Sequence, residues 1–337
     1  MRSGRHISAI LSAAAALLLI SSCVKIRTDR PAMSDTELTL RTFSLPSTKA
    51  GTGLENFGLY AFYTSLPEET NFLNTRTSED PVIYIENGYF APIASSSTYG
   101  GFDPSNHSTA KPYYYPLTGS LLFYGYSPYK EAGGIITGDI TYSASLSLSP
   151  YLIIPVTQKT DPSQMVDLLY FDILSLNGGK TIGKQASPVA AEFKHAMSKL
   201  SFKFKDTNSQ YKVTATLRNC LNQATLYLSH DTGWEADYST PAKRADYTIA
   251  NGLQLNSSLS EPTTLYIIPQ YAANADMTLS LEITDGFGTQ VVEMKMADYV
   301  ELYERGKHYI YNITIDSGRI EFAPPVIEDM DQIEQKI

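Results

Sequence analysis

Cysteine and long basic runs are scarce in this sequence, and each shortage excludes a class of protein. The 337 residues include two cysteines, so a dense disulfide framework is excluded. The formal net charge is −9 and no long basic run occurs, which argues against nucleic acid as a partner. The sequence therefore predicts a protein that is stabilised by its apolar core.

The motifs of enzymes and metal sites are also missing. Gly178-Gly179-Lys180-Thr181 resembles the end of a phosphate-binding loop, but Leu174 stands where that loop requires its first glycine. The later histidines include no pair at metal-ligand spacing, and we interpret His195 and His308 as structural residues. A glycosidase pair of carboxylates remains open, because two such acids need only meet in space. We expect no catalytic residue, cofactor or metal ligand, and predict that the protein is not an enzyme.

The N-terminus has the pattern of a bacterial lipoprotein signal peptide. A short basic start precedes an apolar run at residues 7–20, which is shorter than the ~20 residues of a membrane-spanning helix. Ile20-Ser21-Ser22-Cys23 follows, with two small residues before the cysteine. We therefore predict that residues 1–22 are removed and that Cys23 carries the lipid. An ordinary secretory signal with a chance cysteine is the alternative.

Lipid on Cys23 decides how the second cysteine is interpreted. With Cys23 modified, Cys220 has no partner for an intramolecular disulfide, and we interpret it as a small buried hydrophobic residue. Several acyl chains on one residue anchor a protein stably, so a membrane is an expected partner through Cys23. No later apolar stretch approaches membrane-spanning length.

Alternation of apolar and polar residues predicts an all-β fold, most clearly in the second half. Leu200, Phe202 and Phe204 alternate with serine and lysine, which is typical of a half-buried strand. Turn signals such as Asn251-Gly252 and Asp285-Gly286 separate the segments. Short strands at this spacing predict an antiparallel sandwich. About seven strands are predicted, at 199–205, 213–218, 224–228, 265–268, 277–284, 292–296 and 309–315.

The first half is also predicted to be extended, with longer connections. One N-terminal strand is predicted at 35–45, with a slip of its apolar phase near Arg41. Residues 165–174 fit either a strand or a short helix. Further strands are predicted at 57–63, 82–85, 121–126 and 151–156.

The connections of the first half differ in composition. Residues 93–115 and 131–150 are rich in serine, glycine, proline and tyrosine, and we interpret them as surface loops. Residues 177–187 are polar and rich in glycine, so we interpret them as a linker turn and place a domain boundary there.

Five segments match the motifs of one protein family. They are the lipobox at Cys23, residues 47–50 shortly before the strand at 57–62, residues 115–128, the segment from Phe193 to Phe202 that contains His195-Ala196-Met197-Ser198-Lys199-Leu200, and Gly306-Lys307-His308-Tyr309. In their order and spacing the chain resembles the fimbrillin-like proteins of the Bacteroidales, the subunits and accessory proteins of surface pili.

The resemblance implies a fold and a mode of assembly. The fold would be two β-sandwich domains with a transthyretin-like arrangement and about seven strands each. A trypsin-like surface protease would cut between Lys49 and Ala50 and remove the first strand. A segment of a neighbouring fimbrillin subunit would fill the vacated groove, because a sandwich that lacks a strand exposes unpaired backbone groups. The protein would lie on the outer membrane and then in the pilus.

These expectations divide the chain into four parts and leave two functions open. The parts are a signal peptide at 1–22, a lipid-anchored segment with the removable strand at 23–49, an N-terminal domain at 50–186 and a C-terminal domain at 187–337. The favoured function is a pilus subunit that serves cell adhesion. The alternative is a lipid-anchored glycan-binding protein of a polysaccharide-uptake system.

Overall fold

The chain is built almost entirely of β-strands, which confirms the all-β prediction. A computed structural model describes residues 31–42, 54–75, 81–93, 97–130, 134–145, 148–172, 176–230, 233–285, 287–317 and 319–330. The helices that lie wholly within these residues are one α-helix, α1 (Ala272–Ala275), and three 3-10 turns, η1 (Pro162–Gln164), η2 (Pro241–Lys243) and η3 (Met296–Asp298). No helix in the described ranges combines the length and apolarity needed to cross a membrane.

The first half contributes most strands of a nine-stranded sheet. Its main path, in spatial order, is β12 (Val189–Ala191), β2 (Leu40–Thr42), β5 (Thr98–Asp103), β4 (Val82–Pro92), β3 (Phe57–Thr64), β8 (Ser120–Ser127), β11 (Leu169–Phe171) and β13 (Lys194–His195). The ninth strand, β6 (Asn106–Ala110), pairs with β5, and a separate ribbon joins β1 (Met33–Glu37) to β7 (Tyr114–Pro116).

The second half contains two larger sheets and one short ribbon. One sheet has the order β19 (Thr263–Ile267), β14 (Ser198–Asp206), β24 (Lys307–Asp316) and β25 (Arg319–Phe322), and β26 (Val326–Asp329) also pairs with β24. The other sheet has the order β18 (Arg244–Gln254), β15 (Lys212–Leu221), β21 (Thr278–Thr284) and β22 (Thr289–Lys295). The ribbon joins β20 (Gln270–Tyr271) to β23 (Leu302–Tyr303).

A four-stranded sheet combines strands from both halves of the chain. Its order is β17 (Trp234–Glu235), β16 (Gln223–Leu228), β10 (Leu148–Thr157) and β9 (Thr141–Ser145). Strands β10 and β16 pair antiparallel from Leu152↔Leu228 to Thr157↔Gln223. The two strands lie on opposite sides of the predicted domain boundary, so backbone hydrogen bonds cross it.

The predicted boundary segment packs against the first half. Thr181 is fully buried. Leu121 and Ile182 exchange backbone hydrogen bonds of 2.8 and 2.9 Å. Residues 177–187 are therefore not a free linker, because Thr181 is buried and Ile182 is bonded to β8. The division into two domains stays a prediction.

Two apolar clusters form the core. The smaller one lies entirely within residues 38–193 and is rich in aromatic rings, with Phe57 in contact with Phe90, Tyr99, Phe171 and Phe193. The larger cluster fills the second half and continues under β10 into the first half. Alternation along the strands therefore directs side chains into a shared interior, as a layered β-fold requires.

All seven strands predicted for the second half are present, but several other predictions are wrong. The predicted loop at 93–115 contains β5, β6 and most of β7, and the predicted loop at 131–150 contains β9. Asn251-Gly252 is not a turn between strands; it lies inside β18, where the pairing with β15 shifts register and Gly252 has a φ of +61°. The ambiguous segment at 165–174 contains the strand β11.

Candidate functional site

Strand β2 lies inside the large sheet rather than at its edge. It pairs antiparallel with β5 through Leu40↔Tyr99, and parallel with β12 through Val189↔Leu40. The predicted strand at 35–45 is therefore divided into β1 and β2, with the break at residues 38–39 rather than at Arg41. Its last three residues lie outside the described ranges.

Apolar side chains fix this N-terminal segment in the smaller core. Leu38 and Leu40 are completely buried. The main chain adds hydrogen bonds from Leu38 N to Tyr113 O (2.7 Å) and from Val189 N to Thr39 O (2.9 Å). The segment therefore fills a groove whose two walls are β5 and β12.

The residues predicted for processing and lipidation fall outside the described part of the chain. This holds for Cys23 and for both Lys49 and Ala50. Arg41, the basic residue within β2, has an exposed side chain but lies in a strand that is paired on both sides. A protease that needs an extended, unpaired substrate therefore cannot reach the bond after Arg41 while β2 is in place.

The C-terminal segment runs along β24 in two pieces. Strands β25 and β26 both pair antiparallel with it, so β24 has β14 on one side and the C-terminal segment on the other. Val326 and Ile327 are 52% and 54% exposed, whereas Met330 is buried. An ion pair joins Lys307 Nζ to Asp329 Oδ1 at 2.7 Å. Ile320 and Phe322 of β25 pack against the larger core cluster. Backbone pairing and these inward side chains hold the segment, whereas Val326 and Ile327 of β26 face outward.

His195 is a buried structural residue with a carboxylate partner. Its Nδ1 lies 2.5 Å from Asp167 Oδ2, and both side chains are more than nine-tenths buried. Burial raises the pKa of Asp167, although the hydrogen bond with His195 and the charge of Lys199 act in the opposite direction. The pair joins the segment before β11 to β13, which agrees with the structural role predicted for His195.

The other singled-out side chains are also engaged within the fold. His308 Nε2 lies 2.8 Å from Ser201 Oγ. Cys220 is fully buried, and Gln270 Nε2 lies 3.3 Å from its sulfur. Burial raises the pKa of the Cys220 thiol to about 12, so a reactive thiolate does not form near neutral pH. The described residues contain no group of three or more metal-ligating side chains.

Comparison with known families agrees with this architecture. The model of the family described as fimbrillin-like matches residues 48–329, which is most of the chain. The chain belongs to the fimbrillin-like family. The matched region begins just before the predicted processing position and ends within the last residues that the structure describes. No curated protein matches the sequence significantly.

Solved structures share the fold of this fimbrillin-like protein. A proposed cell adhesion protein from Bacteroides uniformis is 18% identical, with a TM-score of 0.53 over 88% of this chain and 99% of that chain. A fimbrial protein from Bacteroides vulgatus is 16% identical, with a TM-score of 0.53 over the same shares of the two chains. A proposed cell adhesion protein from Bacteroides ovatus is 19% identical, with a TM-score of 0.51 over 88% and 98%. At these identities the similarity shows the common fold.

Proposed function

We propose that this fimbrillin-like protein is a structural or accessory subunit of a surface pilus that serves cell adhesion. Removal of the N-terminal strand by a trypsin-like protease would open a groove, and a segment of a neighbouring subunit would fill it. The observation that supports this mechanism is the position of β2 between β5 and β12, with Leu38 and Leu40 completely buried. Its role is assembly, without catalysis or a cofactor.

The energetics of the groove favour a replacement strand. Burial of two leucine side chains contributes about 3–6 kcal/mol, which is lost when the segment leaves. Two strand edges would then face water with unpaired backbone groups, and an added strand is the direct remedy for such edges. Because β12 pairs with no described strand other than β2, the groove would lose one wall unless it is refilled.

Limited trypsin digestion of the folded full chain tests the mechanism. Cleavage after Lys49 should produce a new N-terminus at Ala50, followed by oligomers that form a ladder on a gel under mild denaturant. The flanking residues favour an exposed loop, because Pro46 and Ser47 precede the site and Gly51 and Gly53 follow it. N-terminal sequencing identifies the cut, and gel electrophoresis identifies the oligomers.

Matched variants separate this cleavage from others. Lys49→Gln should prevent the ladder, whereas Lys25→Gln should leave it unchanged, because Lys25 precedes the strand and cleavage there leaves the groove filled. An intact Lys49–Ala50 bond under conditions that cut the earlier basic sites would contradict the mechanism. So would a chain that is cut at this bond and stays monomeric.

We also propose that the precursor is a lipoprotein of the outer membrane, anchored through Cys23. The small residues Ser21 and Ser22 before the cysteine support this assignment. In a bacterial host, Cys23→Ala should abolish incorporation of labelled palmitate and shift the protein from the membrane to the soluble fraction or leave it as precursor. Cys220→Ala is the control and should remain labelled. Palmitate in the Cys23→Ala protein would exclude this anchor.

A further inference from the structure

A cleft beside strands β14, β18 and β19 has the size of a small-molecule site. The cleft is open to solvent and has a volume of about 580 Å³, within the range of ~300–1,000 Å³ that is typical of ligand pockets. Its walls come from η1, β14, β18 and β19, and most of the side chains on them are polar. The lining side chains that matter here are Asp161, Lys199, Thr248, Thr263, Thr264 and Tyr266.

Lys199 is the member of its sequence motif that the fold does not use. In the motif, the His195 side chain contacts Asp167, and the Leu200 side chain is buried. The carbonyl groups of Ala196 and Met197 accept hydrogen bonds from Trp234 Nε1 and Gly306 N. Ser198 Oγ donates a hydrogen bond to the Glu304 carbonyl. Among the described residues the Lys199 ammonium has neither a hydrogen bond nor an ion pair. Lys199 is instead partly buried and forms part of the lining of the cleft.

The charge of Lys199 is only partly balanced by the fold. It acts through space on Asp167, but that carboxylate already shares a short contact with His195. An ammonium has three donors, and in a half-buried position a charge-assisted hydrogen bond to a carboxylate is about twice as strong as a neutral one. The cleft therefore offers a cation to an anionic group of a ligand.

Hydroxyl groups and one acid line the same cleft. Thr248 and Thr263 make no side-chain hydrogen bond to any described residue, so their hydroxyls can serve a ligand. Burial raises the pKa of Tyr266 to about 12, with the charge of Asp167 as a further cause, so its hydroxyl stays protonated at neutral pH. The Asp161 carboxylate accepts from Ser163 N (2.8 Å) and Ser163 Oγ (2.7 Å), which holds it in one orientation.

We propose that this cleft binds one uronate-type sugar unit, with its carboxylate at Lys199 and its hydroxyls bonded to the threonine, tyrosine and Asp161 oxygens. A bare inorganic anion would leave the hydroxyl groups that line the cleft without a partner. A nucleotide would bring more negative charge than one lysine can balance. A single ammonium among hydroxyls and one carboxylate matches a ring that carries one acid and several alcohols. The site is independent of strand exchange.

Ligand-observed NMR titration of the uncleaved full chain tests the proposal. Sodium D-glucuronate is the probe, because it carries both a carboxylate and ring hydroxyls. D-glucose lacks the carboxylate, and sodium acetate lacks the hydroxyls. We expect glucuronate to bind with a dissociation constant on the order of 1 mM. Glucose and acetate should each bind at least about tenfold more weakly, because each loses either the ion pair or the hydroxyl contacts.

Three variants locate the binding. Lys199→Gln should weaken glucuronate binding about tenfold or more, and Thr248→Val, which keeps the shape, about threefold. Lys203→Gln is the matched control, because Lys203 lies on the same strand face outside the cleft lining, and it should change the affinity by less than about twofold. An unchanged urea midpoint checks that each variant is folded.

Several results would overturn the proposal. Equal losses for Lys199→Gln and Lys203→Gln would show unspecific attraction by surface charge. Acetate that binds as tightly as glucuronate would show a plain carboxylate site, and a glutamate-containing peptide that binds more tightly would assign the cleft to a protein partner. No saturable glucuronate binding would exclude the site. None of these results depends on whether the subunit polymerises.

Discussion

Leu40→Asp is expected to displace strand β2 from the large sheet and to destabilise the full chain by about 3–6 kcal/mol. Leu40 is completely buried between Tyr99 of β5 and Val189 of β12. A carboxylate cannot remain ionised at that position without a large desolvation cost. The strand can avoid this desolvation cost by leaving the groove. The loss of stability is then limited to the contacts of the segment, which include the burial of Leu38. Urea unfolding measures the loss of stability.

Displacement also has a local signature. Arg41 lies in the same strand, so in the Leu40→Asp variant brief trypsin treatment should cut after Arg41, and mass spectrometry should detect the fragment. Thr39→Asp is the matched control: it introduces the same charge one residue away, at a side chain that is only partly buried. Equal sensitivity of the two variants at Arg41 would show that burial of Leu40 does not hold the strand.

The second large effect is expected at Asp206, at the end of β14. Its side chain is fully buried and accepts hydrogen bonds from the backbone N–H groups of Asn208 (2.8 Å), Gln210 and Tyr211 (2.8 Å). Asp206→Ala removes the acceptor for three donors and should destabilise the protein by about 3 kcal/mol. Asp206→Asn keeps one acceptor oxygen and should cost less.

The contribution of Asp206 should depend on pH. Burial alone would raise its pKa, but the backbone hydrogen bonds from Asn208, Tyr211 and Gln210 lower it below the ordinary value. The folded state therefore binds this proton less readily than the unfolded state, whose pKa is about 3.9. The stability that Asp206 contributes is complete above the unfolded pKa and is lost as the pH falls through the folded pKa.

Urea unfolding at pH 7 and near pH 3 measures both effects. The difference in unfolding free energy between the native chain and Asp206→Ala should be largest at pH 7 and should shrink in acid. Asp316→Ala is the control, because Asp316 is exposed and accepts only side-chain hydrogen bonds, from Thr207 Oγ1 at 2.8 Å and from Ser317 Oγ at 3.3 Å. It should cost less than about 1 kcal/mol. A pH-independent difference for Asp206→Ala would contradict the assigned hydrogen bonds.

Strands with one buried face could be predicted from the sequence. In β14 and β24 apolar residues occupy alternate positions, and both strands lie close to the predicted ranges. Strand β6 could not be predicted, because all five of its side chains are exposed and no alternation marks a buried face. Strand β18 was missed because Asn251-Gly252 has the composition of a turn, although here it forms an irregularity inside a paired strand.

The candidate sites could likewise be predicted only in part from the sequence. The sequence predicts that the apolar segment near Leu38 and Leu40 is buried, but it cannot show that β5 and β12 form the two walls of its groove. Tyr99 and Val189 are brought to this strand only by the fold. The cleft at Lys199 also joins residues far apart in the chain, from Asp161 to Tyr266, so no local motif indicates it. Composition and periodicity report local preferences, whereas these sites are long-range contacts.

The four-stranded sheet that crosses the predicted domain boundary has a mechanical consequence. Strands β10 and β16 are in register over six residue pairs, so the halves of the chain are joined by a ladder as well as by a covalent connection. Sliding one strand along the other requires these bonds to break together. A tensile load along the strands would therefore be carried in shear, and the junction would act as a stiff joint rather than as a swivel.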